Sequence, residues 1–202
     1  MQRWAAIKGT ENKSRNKAGL CVINDSKYSA SAEGNTLRIM IVRSPAYAHH
    51  APYVLPENLD DSQFTDIGLQ AFRYVIVPIK GALKESVLAR RAEEWNQPCL
   101  VTTESYHEGP FPQSAQSVQI SAPNVLLSAL KLAEKENGWV LRCYEADGFE
   151  TEVEIKLFQA AIPTRFRPYE IKTFLIESLE KARWREVDFL EWDRDKDRNC
   201  LN

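Results

Sequence analysis

The sequence predicts a mainly β chain of antiparallel strands, and three stretches carry that reading. From Leu20 to Pro45 two apolar runs flank a polar turn. In the second run Leu37, Ile39 and Ile41 share one face and Arg38, Met40 and Val42 the other, the period of two that marks a strand. Ala71–Lys80, AFRYVIVPIK, is strand-like: Phe72, Tyr74 and Ile76 lie on one face, Val75 and Val77 on the other. Thr151, Val153, Ile155 and Leu157 alternate with Glu152, Glu154 and Lys156, so one face is buried and the other wet. Turn chemistry separates the runs: Gly34-Asn35 and Asp147-Gly148 pair residues that tolerate positive φ.

In order, Gln2–Ile7 around Trp4 reads as an edge strand and Lys8–Lys17 as a loop. Leu20–Arg43 is the opening strand pair, turning at Glu33–Thr36. Ser44–Thr65 is a long loop with Pro45, Pro52 and Pro56. Pro78 belongs at a sheet edge or strand end, because proline lacks the N–H a ladder needs. Leu83–Trp95 is the one clear helix, with Leu83, Val87, Leu88, Ala92 and Trp95 on one stripe; Asn96 and Pro98 end it. Leu100–Thr103 reads as a short strand, and a subdomain change is placed in the loop 104–116. In Val118–Glu134 the apolar positions Val125, Leu126, Ala129, Leu130, Leu132 and Ala133 fit a helical stripe that Gly138 would cap. Trp139–Glu145 and Phe149–Leu157 read as a hairpin about Asp147-Gly148. Pro163 and Pro168 bound a loop, Ile171–Ile176 is a strand, and Ser178–Trp192 is either a closing strand or a frayed helix. The domain expected is 1–191, followed by a disordered tail, 192–202.

Of the 202 residues, 44% are hydrophobic and 27% charged, enough for a packed core and too apolar for a disordered chain. A net charge of −2 gives no electrostatic footprint for nucleic acid. No apolar run is long enough for a bilayer span, and MQRWAAIKGTENKSRNK lacks the apolar core of a signal peptide. Cys21, Cys99, Cys143 and Cys200 form no CxxC, which is read as reduced thiols in a cytoplasmic protein. Cys99 is expected to be buried.

Several motifs together resemble a known family. NDSKY (Asn24–Tyr28), GNTLR (Gly34–Arg38) and an apolar run ending Arg43-Ser44-Pro45 are similar to the opening of the C-terminal β domain of glycoside hydrolase family 38 α-mannosidases, bacterial type. Asp66, Gly68, Phe72, Tyr74, Ile76 and Pro78 match a further family segment, DxGxHxFxYxLxPH. NVLLSALKLAE followed by GWVLRCYE, and PYEIKTFLI, match later ones. The resemblance implies an antiparallel β-sandwich, supersandwich-like and galactose-mutarotase-like, and makes 125–134 a strand, the expectation adopted here. In that family a QRW-like segment lies inside a longer chain, so Met1 is expected to open a fragment. Gln70 and Ile79 stand where the family usually has histidines, which leaves the parent's activity open.

The resemblance also assigns chemistry. The family's retaining mechanism needs two carboxyls across the sugar and its zinc needs histidine and carboxylate ligands; all precede the matched region. The chain is therefore expected to hold no catalytic residue, no metal and no cofactor, with zinc in a separate N-terminal catalytic domain. That domain and an α-mannoside glycan are the expected partners. Arg43 matches an arginine that approaches the sugar subsites, and Asn24, Asp25, Lys27 and Tyr28 form a polar loop nearby. Asn24, Asp25, Tyr28 and Arg43 are the candidate substrate contacts. Read without the resemblance, His49, His50 and His107 are loop histidines, and Asp60-Asp61 are solvated charges. No GxSxG, HExxH or P-loop occurs. Tyr47, Tyr53, Trp95 and Tyr106 are aromatic enough to stack on a pyranose. The competing reading is an autonomous carbohydrate-binding or adhesion β-sandwich.

Overall fold

A computed structural model describes residues 3–10, 17–45, 64–105, 108–110 and 112–193. Two compact units divide the chain: Met1–Leu83 with Arg91–Pro98, and Lys84–Arg90 with Cys99–Asn202. The single helix among the described residues, α1 (Glu85–Asn96), is divided between them, and buries Leu88 and Ala92 of its expected stripe.

The first unit holds an antiparallel sheet in the order β1 (Trp4–Thr10), β2 (Lys17–Asn24), β5 (Tyr74–Lys80). β2 is central, and its Cys21, Val22 and Ile23 are buried. Pro78 lies in β5, an edge strand, where its missing N–H is tolerated. The second apolar run of the opening stretch does not pair with the first. β4 (Thr36–Ile39) instead forms a separate hairpin with β3 (Ala30–Glu33) about Gly34, and the chain leaves regular structure at Met40. Alternation fixes which side chains share a face, but leaves the pairing partner open.

The second unit is a β-sandwich. One sheet runs β10 (Ala160–Phe166), β9 (Thr151–Leu157), β6 (Val118–Ile120). The other runs β12 (Arg183–Val187), β11 (Ile171–Ser178), β8 (Trp139–Glu145), β7 (Val125–Leu132). Their inner faces share one core: Val153, Ile155, Leu157, Ala160, Ile162 and Phe166 from the first, and Val125, Leu141, Cys143, Phe174 and Ile176 from the second. At about 25 cal/mol per Å² of apolar surface removed from water, these side chains are the main source of this unit's stability. Trp184 ties the sheets together, its ring edge-on to Phe174 at 5.8 Å and its indole N–H donated to the Ala161 carbonyl at 3.1 Å.

The strand expected over 125–134 is present, and its helical look has a cause. β7 pairs with β8 through a bulge between Leu127 and Ala129. Before the bulge Val125 and Leu127 oppose the inward residues Glu145 and Cys143; after it Leu130 and Leu132 oppose Leu141 and Trp139. The extra residue changes the parity of the inward positions, and the broken period of two looks like a helical stripe. Gly138 ends no helix. It sits with φ +155 so close to the Ile176 carbonyl that a Cβ would fall 2.6 Å from that oxygen.

The hairpin expected about Asp147-Gly148 is not formed: β8 and β9 belong to different sheets, and the dipeptide carries the chain from one to the other. The reason is Glu145, the last residue of the inward row Trp139, Leu141, Cys143. Only 1% exposed, its carboxylate accepts the Asn124 Nδ2 and the Asp147 N–H on Oε1, and the Gly148 and Tyr169 N–H groups on Oε2, all within 2.9 Å. Those donors hold a bend, not a ladder turn. Asp147 itself turns to α1, where its carboxylate accepts the Ser86 N–H and hydroxyl, each at 2.8 Å, and so caps the helix. Three further expectations are corrected. Pro163 lies inside edge strand β10 instead of bounding a loop, Leu100–Thr103 forms no strand, and Cys99 is exposed. Ser178–Trp192 resolves into β12 and a turn in which the Asp188 carboxylate accepts the Leu190 and Trp192 N–H groups.

Burial pushes the Glu145 pKa up, but the hydrogen bonds from Tyr169, Asn124, Asp147 and Gly148 outweigh it and leave it below the ordinary 4.5. A lowered native pKa means its contribution is complete above pH 4.5 and lost as pH falls through the native value. Glu145→Gln offers one acceptor oxygen to four donors and should cost about 3 kcal/mol at pH 7. Urea unfolding of both proteins checks this; the gap should narrow at pH 4 and below.

Candidate functional site

Of the candidate residues of the first unit, Asn24, Asp25 and Tyr28 gather where β2 ends, beside the start of β5. Asn24, the last residue of β2, is paired in register with Tyr74. Its main chain is fully used: its N–H goes to the Arg3 carbonyl at 2.9 Å, and its carbonyl accepts the Asn96 Nδ2 at 3.1 Å. Its side chain is buried, and neither Oδ1 nor Nδ2 has a hydrogen-bond partner among the described residues; the same holds for the buried Tyr74 hydroxyl. Burial, with a contribution from the Asp25 charge, raises the Tyr74 pKa.

Asp25 is occupied. Oδ1 accepts the Arg73 N–H at 3.1 Å and the Ser26 hydroxyl at 2.9 Å, and Oδ2 accepts Arg73 Nε at 3.0 Å. The Arg73 main-chain N–H, then its side chain, lower the Asp25 pKa to about 2. The guanidinium carbon lies 5.3 Å from the centre of the Trp95 ring, so Trp95 is partly covered by a cation. Lys27 donates to Gln70 Oε1 at 2.8 Å, and Gln70 donates to the Asp66 carbonyl at 3.3 Å. Tyr28 donates its hydroxyl to the Asp25 carbonyl at 3.3 Å and keeps its ring 54% exposed. Arg43 stands exposed beyond β4, with no hydrogen bond or ion pair among the described residues.

The structure therefore separates the sequence-predicted contacts by chemistry. Asp25 spends both oxygens on the loop itself. Asn24 has unspent polar atoms but no exposed surface, while Tyr28 and Arg43 are accessible. The two positions where the resemblance would have histidines also part: Gln70 belongs to this cluster through Lys27, while Ile79 lies near the opposite end of β5. There it lines a cavity of about 350 Å³ with Lys8, Lys17 and Leu83. Arg73 and Gln70 were missed as members of the cluster, because both reach it from beyond a long loop. His49, His50, His107, Asp60, Asp61, Tyr47, Tyr53, Tyr106, Cys200 and the tail from 194 onward lie outside the described residues. Among the described residues no group of three or more His, Cys, Asp or Glu is placed to hold a metal, and no helix is long and apolar enough to cross a membrane.

Residues 124–165 match the family described as the glycosyl hydrolases family 38 C-terminal beta sandwich domain. That segment opens on Asn124, includes Glu145, Asp147 and Gly148, and closes in β10. The chain is also similar to Alpha-mannosidase 2C1 of Mus musculus, 33% identical over 134 residues, and to that of Homo sapiens, 30% over 143. Alpha-mannosidase of Saccharomyces cerevisiae is 25% identical over 200 residues. These alignments cover 64%, 69% and 77% of this chain but only 11%, 12% and 17% of the relatives. The chain thus spans less than a fifth of the length of the curated relatives it matches.

The Asp25–Arg73 pair gives a direct check on the site's electrostatics. In a carbon-detected NMR titration the Asp25 carboxyl should titrate near pH 2, and Arg73→Ala, which keeps the main-chain N–H, should raise it only part of the way toward 3.8. Its contribution to the loop is complete above pH 3.8 and fades as pH falls toward 2. A midpoint unchanged by Arg73→Ala would mean that the pair does not form.

Proposed function

We propose that this chain is a non-catalytic C-terminal part of an α-mannosidase-like glycoside hydrolase, bracing its catalytic domain and lining the rim of its sugar cleft. The observation that carries the reading is the match of residues 124–165 to the family 38 C-terminal β-sandwich domain, in a chain that aligns with about a tenth of the length of α-mannosidase sequences. Two carboxylates, one in each unit, support it. Asp25 and Glu145 are held in multiple hydrogen bonds, and neither is poised as a raised-pKa acid. In this reading zinc is held by the catalytic portion, and no chemical step is assigned to this chain.

At the rim, Arg43 and Tyr28 are the contacts. An exposed guanidinium offers forked donors to vicinal hydroxyls, and a tyrosine ring offers a face to the C–H side of a pyranose. Asn24 and Asp25 hold the loop that carries Tyr28. The thiols Cys21, Cys99 and Cys143 are free, which supports a cytoplasmic setting as part of the same proposal.

Two measurements test this. The chain alone, supplied with zinc, should release no aryl leaving group from an aryl α-mannoside above the buffer rate; turnover would overturn the non-catalytic reading. In the parent-length enzyme, Arg43→Ala should lower kcat/KM about tenfold, the loss of one charge-assisted hydrogen bond. An unchanged kcat/KM removes Arg43 from the rim.

A further inference from the structure

The bend that Glu145 holds also presents aromatic rings to solvent. Tyr169 is 61% exposed and Phe149 is 66% exposed. Tyr169 has φ 57, a left-handed backbone that glycine adopts freely and a bulky L residue does not. Its N–H is fixed on the Glu145 carboxylate at 2.9 Å. Its ring tip rests on Gly148: a Cβ there would fall 2.7 Å from Cζ and from the hydroxyl oxygen, and 2.9 Å from Cε2. The ring thus meets Gly148 at its tip, while most of the residue stays exposed.

Stability does not account for a tyrosine at this position. The ring is mostly exposed, so it buries little apolar surface, and its backbone is strained where glycine would be relaxed. Beside it is a polar group of defined orientation. Glu170 accepts the Arg167 N–H at 2.8 Å, Nε at 3.0 Å and Nη2 at 2.7 Å, with the Arg167 side chain 77% exposed. An exposed aromatic ring two residues from an exposed, anchored arginine suits a pyranose, which has one C–H face and a rim of hydroxyls. Phe158 is an internal contrast. It too is exposed and left-handed, at φ 51, but it sits in the tight turn between β9 and β10, with its N–H on the Ser117 carbonyl.

We propose that Tyr169 is a stacking platform for a pyranose ring of a glycan, with Arg167 as hydroxyl partner and Phe149 as flank. The choice of a mannoside rests on the α-mannosidase reading. Tyr169 belongs to the second unit, whereas the proposed rim residues belong to the first. It gives the chain a glycan contact of its own, independent of any cleft.

The test is a 15N NMR titration of the chain with methyl α-D-mannopyranoside, with glycerol as the non-ring polyol control. Saturable shifts are expected at Gly148, Phe149 and Tyr169 with the mannoside alone. Tyr169→Gly fits the left-handed backbone and should keep the unfolding midpoint while weakening binding about tenfold; Tyr169→Asn should do the same. Tyr169→Phe keeps the ring and should bind like the parent protein, and Phe158→Gly should leave binding unchanged. No saturable shift at these amides, or an affinity indifferent to Tyr169→Gly, overturns the proposal. Turnover by the chain would end the non-catalytic reading without touching this one, and silence at Tyr169 would end this one without touching the other.

Discussion

One buried carboxylate decides the shape of the sandwich unit. Glu145 ends an inward-facing row of apolar side chains, where a charge without partners would cost several kcal/mol. Four donors reach it from three separate stretches: Asn124 before β7, Asp147 and Gly148 after β8, and Tyr169 before β11. The charge and its donors stabilise one another. Asn124 also donates to the Thr151 hydroxyl at 2.7 Å, which brings the first residue of β9 into the same network. The two sheets diverge here because the chain closes around this group instead of folding back in a ladder.

The far side of the four-stranded sheet is organised differently. Val140, Leu175 and Val187 are fully or almost fully buried there, with Ala133 packed against them. Around this smaller core lie ion pairs that join strand to turn: Arg185 with Glu177, Glu136 and Asp193, and Lys131 with Glu134 and Glu191. Exposed pairs of this kind contribute little individually. Glu191 is the exception, being buried and accepting the Glu134 N–H, so it holds the turn after β12 against the end of β7. In the first unit the polar loop after β2 is held by similar means, with three hydrogen bonds on the Asp25 carboxylate.

Strand positions were legible because burial on one face writes a period of two into the sequence. Val153, Ile155 and Leu157 are buried as their alternation with Glu152, Glu154 and Lys156 demands. Partners were not legible. Asp147-Gly148 has the local preference of a hairpin turn, and the competing demand came from Glu145 and residues far along the chain. β7 looked helical because one bulge residue changes its parity. Of the candidate site, the Asn24–Tyr28 loop was visible as a polar run at a strand end. Arg73 and Gln70 were invisible there, since only the pairing of β2 with β5 brings residues some 45 positions later beside it.

What the sequence determined alone is local: the strands by their alternation, the helix by its stripe, the turn at Gly34, and a set of motifs similar to family 38 α-mannosidases. Each depends on neighbours within a few residues, or on the order of short words along the chain. The tertiary structure decided the rest. It chose which strands share a sheet, it tied Asp25 to Arg73 while leaving Arg43 without a partner among the described residues, and it set the Tyr169 ring against Gly148. Those outcomes depend on where a buried charge finds its donors, and donors so distant along the chain leave no periodic trace in it.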